Sequence, residues 1–188
     1  MEIKENFLRI IKRLGLDISD PNLAKTPERI EKMYKEFFKN EKKNFEGLTV
    51  FPNNEGYNQI ILLDKIHFTS ICSHHFLPFS GYAWFAYIPD DKLLGASKPA
   101  RVIEHYSKKP QLQENLCQQV IECIGSQLNP KGMMLVMRAI HGCMSCRGIN
   151  QYHGAGMITS SITGIFEESK AAKDECLDLI KLSISMEQ

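Results

Sequence analysis

Apolar positions recur at three- and four-residue spacing near both ends of the chain and crowd into β-like runs in the middle. Phe7, Ile10, Ile11 and Leu14 share one side of a helix that Gly15 is placed to stop. Thr26-Pro27-Glu28-Arg29 reads as a second helix start, with Thr as the N-cap, Pro at the first helical position and Glu in the first turn. An apolar stripe of Ile30, Met33, Tyr34 and Phe37 follows, and the charged stretch 40–46 ends it. From about residue 50 the texture changes. Segments 59–68 (QIILLDKIHF) and 79–88 (FSGYAWFAYI) are rich in β-branched and aromatic residues and predict two strands. Residues 99–108 and 111–128 predict helices, the second with Leu116, Val120, Ile121, Ile124 and Leu128 on one face. Two more strands follow at 131–141 and 157–166, and a closing amphipathic helix carries Cys176, Leu177, Ile180 and Leu182. Strand pairs flanking a helix pair predict an α+β domain, an antiparallel sheet with helices packed on one face. The division expected is a helical region over 1–48 and a sheet domain over 49–188.

Composition narrows the class without naming a function. The chain has 188 residues, 43% apolar and 24% charged, the balance of one globular domain rather than a disordered chain. Lys and Arg number 23 against 22 Asp and Glu, a formal charge of +1, so no overall basic field points to nucleic acid. Apolar runs such as IILL and MMLVM fall far short of the roughly 20 residues that cross a bilayer, which excludes a membrane partner of that kind. The first residues alternate charged and apolar side chains, unlike a secretory signal, and the expected location is the cytoplasm.

Six cysteines in such a chain suggest thiols or metal ligands rather than disulfides. Cys117, Cys123 and Cys176 fall inside helical patterns and read as packing residues. Cys72-Ser73-His74-His75 is different, because Cys-x2-His can present a thiolate and an imidazole to one zinc ion. A second cluster, His141-Gly142-Cys143-Met144-Ser145-Cys146-Arg147, leaves two readings open. Cys72, His75, Cys143 and Cys146 could close a four-ligand structural site. Alternatively, Cys72, His75 and Cys143 could leave a fourth position for water, as catalytic zinc sites do. An extended backbone through His141 would put His141, Cys143, Ser145 and Arg147 on one face with Cys146 turned away; a knuckle turn would gather both cysteines. His74 and His141 are candidates for proton transfer beside the metal. His67, His105 and His153 lack such company and read as structural or surface residues.

Between the clusters, Ser97, Lys98 and Arg101 surround a helix start, a natural place for an anion. Arg147 adds a further cation, and Gln113 and Glu114 open the long helix with an amide and a carboxylate that suit the edge of a base.

In combination these segments resemble GTP cyclohydrolase I. The resemblance is carried by KTPERI (25–30), Cys72–His75 with PFSG behind it, YIPDDKLLGASKPAR (87–101), KKPQLQENL (108–116), HGCMSCRG (141–148) and TSSITGIF (159–166), in order over most of the chain. It implies a tunnelling fold, with a four-stranded antiparallel sheet and two helices on one face, preceded by N-terminal helices. It also implies that subunits join sheets into a pentameric barrel and that two rings stack into a homodecamer. Enzymes of this family open the imidazole ring of GTP at C8, release formate and form 7,8-dihydroneopterin triphosphate. Carried over by position, Cys72, His75 and Cys143 would hold Zn2+, and His74 and His141 would move protons. Glu114 and backbone groups near Gln113 would anchor the guanine, while Ser97, Lys98, Arg101 and Arg147 would hold ribose and triphosphate, partly across a subunit boundary. Three positions depart from the family pattern: Ser73 stands where Glu is usual, Cys146 where an uncharged non-ligand is usual, and Pro99 is unusual. Other readings of the same residues are a tunnelling-fold reductase of a deazaguanine nitrile and a non-catalytic oligomer with closed zinc sites.

Overall fold

The computed structural model of the protein describes residues 2–151 and 155–186, so His153 lies outside the described residues. Two helices, α1 (Ile3–Arg13) and α2 (Thr26–Phe37), precede the sheet. Thr26 is the first residue of α2 and not its N-cap; its hydroxyl points back to the Asn22 carbonyl at 3.5 Å. Pro27 therefore sits in the first turn, where a missing N–H costs nothing. The stripe expected along α2 is only partly covered, with Met33 39% exposed, whereas Glu31 is buried. Its carboxylate accepts from the backbone N–H of Lys4 at 3.1 Å and pairs with Lys35, which ties α2 to the first turn of α1.

The sheet forms as the alternation requires. β2 (Ile61–Cys72) and β3 (Pro78–Ile88) make an antiparallel hairpin, and β6 (Gly132–His141) and β7 (Met157–Gly164) extend it in the order β2-β3-β6-β7. A two-residue strand, β5 (Pro110–Gln111), adds a fifth, parallel member outside β2, pairing Cys72 with Gln111. Two segments too short to show in the hydrophobic pattern, β1 (Val50–Pro52) and β4 (Lys92–Leu94), pair across the β2–β3 hairpin as a separate two-stranded antiparallel sheet. Close strand approach explains one glycine: a Cβ on Gly81 would lie 1.9 Å from the Arg138 carbonyl oxygen.

Over residues 84–88 of β3 and 132–136 of β6 both faces are apolar and covered, whereas Tyr82 and Ile140 further along are exposed. Phe79, Ala83, Phe85, Tyr87, Met133, Leu135 and Met137 pack against α3 (Lys98–Ser107) and α4 (Gln113–Leu128). This is the expected α+β arrangement, with two helices on one face. The closing helix α7 (Lys170–Ser185), entered through the short α6 (Ile165–Glu168), packs instead on the opposite face. There Phe166, Cys176 and Ile180 meet Trp84, Ala86, Ile88 and Met134. Ser169 caps α7 by accepting from the Ala172 N–H at 3.3 Å, and α4 ends where Asn129 turns left-handed ahead of Pro130. No helix among the described residues is long and apolar enough to cross a membrane.

Candidate active site

Chain topology brings four ends together. Cys72 closes β2, Gln111 lies beside it in β5, Gln113 opens α4 two residues later, and His141 closes β6. After Cys72 the backbone folds into a tight turn: the Phe76 N–H donates to the Cys72 carbonyl and the Cys72 N–H to the Leu77 carbonyl, both at 2.9 Å. The Ser73 N–H donates to the Gln111 carbonyl at 3.0 Å. That turn lifts His75 back over the strand end.

Beyond His141 the strand does not continue. The backbone coils into the one-turn helix α5 (Gly142–Ser145), so the extended arrangement of His141, Cys143, Ser145 and Arg147 on one face is replaced by a helical turn. Coiling brings Cys143 toward Cys72. The Sγ atoms of Cys72 and Cys143 and a ring nitrogen of His75 all lie within 4.8 Å of one another. Cys146 stands apart from this group. Its thiol donates to the Gly142 carbonyl at 2.8 Å on the exposed side of the turn. Two sulfurs and an imidazole make a donor set suited to zinc, for which ligand atoms about 3.5–4 Å apart span the edges of a tetrahedron. Burial pushes the Cys143 thiol up from its ordinary value, and the neighbouring Cys72 sulfur pushes it further, while Arg147 opposes. A bound cation would remove the repulsion that two adjacent thiolates create.

His141 is 8% exposed and fixed from two sides. Its ring stacks on Phe79, and its Nε2 lies 2.9 Å from Gln113 Oε1. The Gln113 amide nitrogen faces the Met137 and Met157 carbonyls and the Thr159 hydroxyl at 3.1–3.2 Å, so its oxygen faces the imidazole. Nε2 must therefore carry the proton, leaving Nδ1 as the free nitrogen of the neutral ring. Burial holds the His141 pKa below its ordinary value, with the Glu114 carboxylate pulling the other way. Glu114 stands exposed in the first turn of α4. The Gln113 side chain is wholly engaged inside the protein, and the residue as a whole is buried. His74 is exposed and packs edge-on to His75 at 6.3 Å.

Ser97 and Lys98 do not join this group within one chain, and Arg101, one turn into α3, lines a cavity with His67, Phe68 and Thr69 of β2. The end of α3 near the cluster is its last turn, where Ser70 Oγ donates to the Ser107 carbonyl at 2.8 Å. Ser97 and Lys98 lie at the opposite end, about 15 Å along a ten-residue helix. Lys98 Nζ there donates to the Gly47 carbonyl at 3.1 Å, and Pro99 occupies a first-turn position that needs no donor. His67 bonds Ser80 and His105 bonds the Lys43 carbonyl, structural roles as the sequence suggested.

A family model described as GTP cyclohydrolase I matches residues 3–181. The chain belongs to the GTP cyclohydrolase I family. GTP cyclohydrolase 1 of Rickettsia bellii is 39% identical over 180 residues, covering 95% of this chain and 93% of that protein. GTP cyclohydrolase 1 of Bacillus subtilis is 39% identical over 183 residues, covering 96% and 95%. That of Bacillus pumilus is 40% identical over 184 residues, covering 96% of each. A fainter structural likeness, TM-score 0.44 at 17% identity, is to the crystal structure of the archaeosine synthase QueF-Like in the apo form, covering 56% of this chain and 94% of that one. Two features of this GTP cyclohydrolase I family member were hidden from sequence reasoning: the role of Gln113 inside the protein, and Phe79 as the surface beneath His141. The register pair Phe79–His141 could have suggested the second once β3 and β6 were paired.

Proposed function

We propose that the protein is a zinc-dependent GTP cyclohydrolase I that opens the imidazole ring of GTP at C8, releases formate and yields 7,8-dihydroneopterin triphosphate. The observation that carries this reading is the convergence of Cys72, His75 and Cys143 beside an oriented His141, with Cys146 outside the group. These three residues would hold the zinc ion, which when bound acts as a Lewis acid and lowers the pKa of a water toward neutrality. Each neighbouring side chain then has a task. His141, with Nε2–H held by Gln113, offers Nδ1 to accept and return a proton at the opening ring. His74 is the second proton carrier, exposed on the turn that supplies two ligands. Glu114 accepts from the amidine edge of guanine, joined by backbone groups at the start of α4, and Arg147 meets the phosphates.

Ser97, Lys98 and Arg101 complete the triphosphate subsite from a neighbouring subunit; in their own chain Ser97 and Lys98 lie a helix length from the cluster and Arg101 stands one turn into α3. This fits a homodecamer of two stacked pentameric rings acting in the cytoplasm. The exposed outer edge of β7 and the uncovered part of the β2 edge offer unpaired backbone groups for such joining. The deciding experiment incubates GTP with protein of measured zinc content. Formate and a fluorescent oxidised pterin, with about one zinc per chain and a large oligomer by light scattering, are the expected result. Zinc-loaded protein that releases neither product overturns the reading.

A further inference from the structure

We propose that Phe76 is a positioning residue through which the N-terminal helices hold the His75 turn in its metal-binding shape; this rests on the reading of Cys72, His75 and Cys143 as ligands. Phe76 follows His75 directly and has a φ of +53°, the left-handed conformation that a bulky side chain adopts only when its surroundings impose it. The left-handed residue lets the Phe76 N–H close the turn on the Cys72 carbonyl at 2.9 Å, a local bond that glycine or asparagine would make with less strain. Aromatic packing is what holds a bulky side chain in that conformation. The Phe76 ring meets Phe38 at 5.3 Å and Tyr34 at 6.1 Å, both tilted by about 55°. Tyr34 in turn stacks on Phe38 at 5.6 Å and on Phe7 of α1 at 5.8 Å.

A ladder of four rings therefore runs from α1 to the residue beside the histidine ligand. Its far side is anchored. Beyond α2, the Asn40 N–H donates to the Lys108 carbonyl at 3.1 Å and the Asn40 amide to the His105 carbonyl at 3.2 Å, which fixes the helix end to α3. Phe76 remains 47% exposed, so its clamp depends on Tyr34 and Phe38 rather than on general burial. Without the clamp, the backbone at residue 76 would relax toward negative φ, and His75 would swing with it.

Metal affinity reads this directly. Full-length apo protein is titrated with Co2+, whose absorption reports tetrahedral sulfur and nitrogen ligation, and then competed with a chelator. Phe38→Ala and Tyr34→Leu should each weaken cobalt binding about tenfold or more and alter the visible spectrum. Tyr34→Phe, which keeps the ring, should bind as the unaltered protein does. Circular dichroism confirms that each variant is folded at the titration temperature, and Tyr34→Leu keeps apolar volume should Phe38→Ala unfold. Folded variants with unchanged cobalt affinity and spectrum overturn the brace while leaving the ligand assignment intact. Failure of the unaltered protein to bind cobalt overturns the ligand assignment, and the brace with it.

Discussion

His141 lies flat against Phe79, its cross-strand partner, with ring centroids 4.5 Å apart and planes within 2° of parallel. Phe79 is itself 1% exposed and meets Phe68 edge-on at 6.2 Å, so the imidazole rests on a surface that cannot move independently of the core. One ring face is thereby closed and one nitrogen is taken by Gln113, which leaves the Nδ1 edge to do chemistry. Replacing Phe79 by Leu keeps an apolar side chain but removes the flat support, at a stability cost of about 1 kcal/mol. Turnover should fall at least several-fold while KM for GTP changes little. Phe79→Ala should cost about 3–5 kcal/mol, read as a lowered urea midpoint.

Gln113 makes a sharper case, because one amide satisfies the imidazole and two backbone carbonyls at once. Gln113→Leu keeps the size and removes every hydrogen bond. The stranded His141 N–H then costs about 1–3 kcal/mol, less where water enters, and the Met137 and Met157 carbonyls each lose an acceptor bond in addition. The ring also loses what fixes its protonated nitrogen. A drop in kcat exceeding the change in KM is expected in steady-state assays, alongside lower stability in urea. Equal kcat in a folded Gln113→Leu protein would remove the tautomer argument.

Strand and helix order were legible because β3 and β6 are long and apolar and because α4 carries a clear stripe at helical spacing. The placing of α7 on the opposite face was not, since an amphipathic helix declares that it has a buried face and not which sheet surface receives it. The three residues that could hold a metal were legible as two short motifs, but the coil at Gly142–Ser145 was not. Four residues carry no periodicity, so extended and coiled shapes fit the sequence equally well. Glu31 escaped notice for a related reason: a carboxylate inside a helical pattern reads as solvated until a second helix places the Lys4 N–H against it.

Cys146 and Cys143 are three residues apart yet differ in surroundings, and metal content should separate them. Cys143 lies within 4.8 Å of the Cys72 and His75 ligand atoms, whereas the Cys146 thiol turns to the Gly142 carbonyl at 2.8 Å. Cys146→Ser keeps a hydroxyl that can make the same bond, so zinc per chain and turnover should stay near those of the parent. Cys143→Ser should lower zinc occupancy severely and abolish activity. Zinc is measured by elemental analysis after dialysis against a weak chelator, and turnover by formate release from GTP. Loss of zinc in Cys146→Ser would restore the four-ligand site and remove the open position that hydrolysis needs.

Alkaline stability should be limited by buried thiols that do not belong to the Cys72–His75–Cys143 group. Burial pushes Cys117 up to about 12, partly offset by hydrogen bonding from Thr159 and Ser161. Cys176 is pushed to about 11, again chiefly by burial, with Glu175 adding to it. In the unfolded chain a thiol titrates at about 8.5. Between that value and the folded one, the unfolded state has released its proton while the folded state still holds it. The unfolded state thus binds fewer protons, and stability falls as pH rises. Each thiol contributes a slope of up to about 1.4 kcal/mol per pH unit in that window. Tyr87 and Tyr106, also raised mainly by burial, act in the same direction at higher pH. Urea midpoints measured from pH 7.5 to 10.5 should decline steadily above about pH 8.5, and Cys117→Ala, though less stable at pH 7.5, should decline less steeply. A midpoint that stays level to pH 10.5 would mean that water reaches these sulfurs in the folded protein.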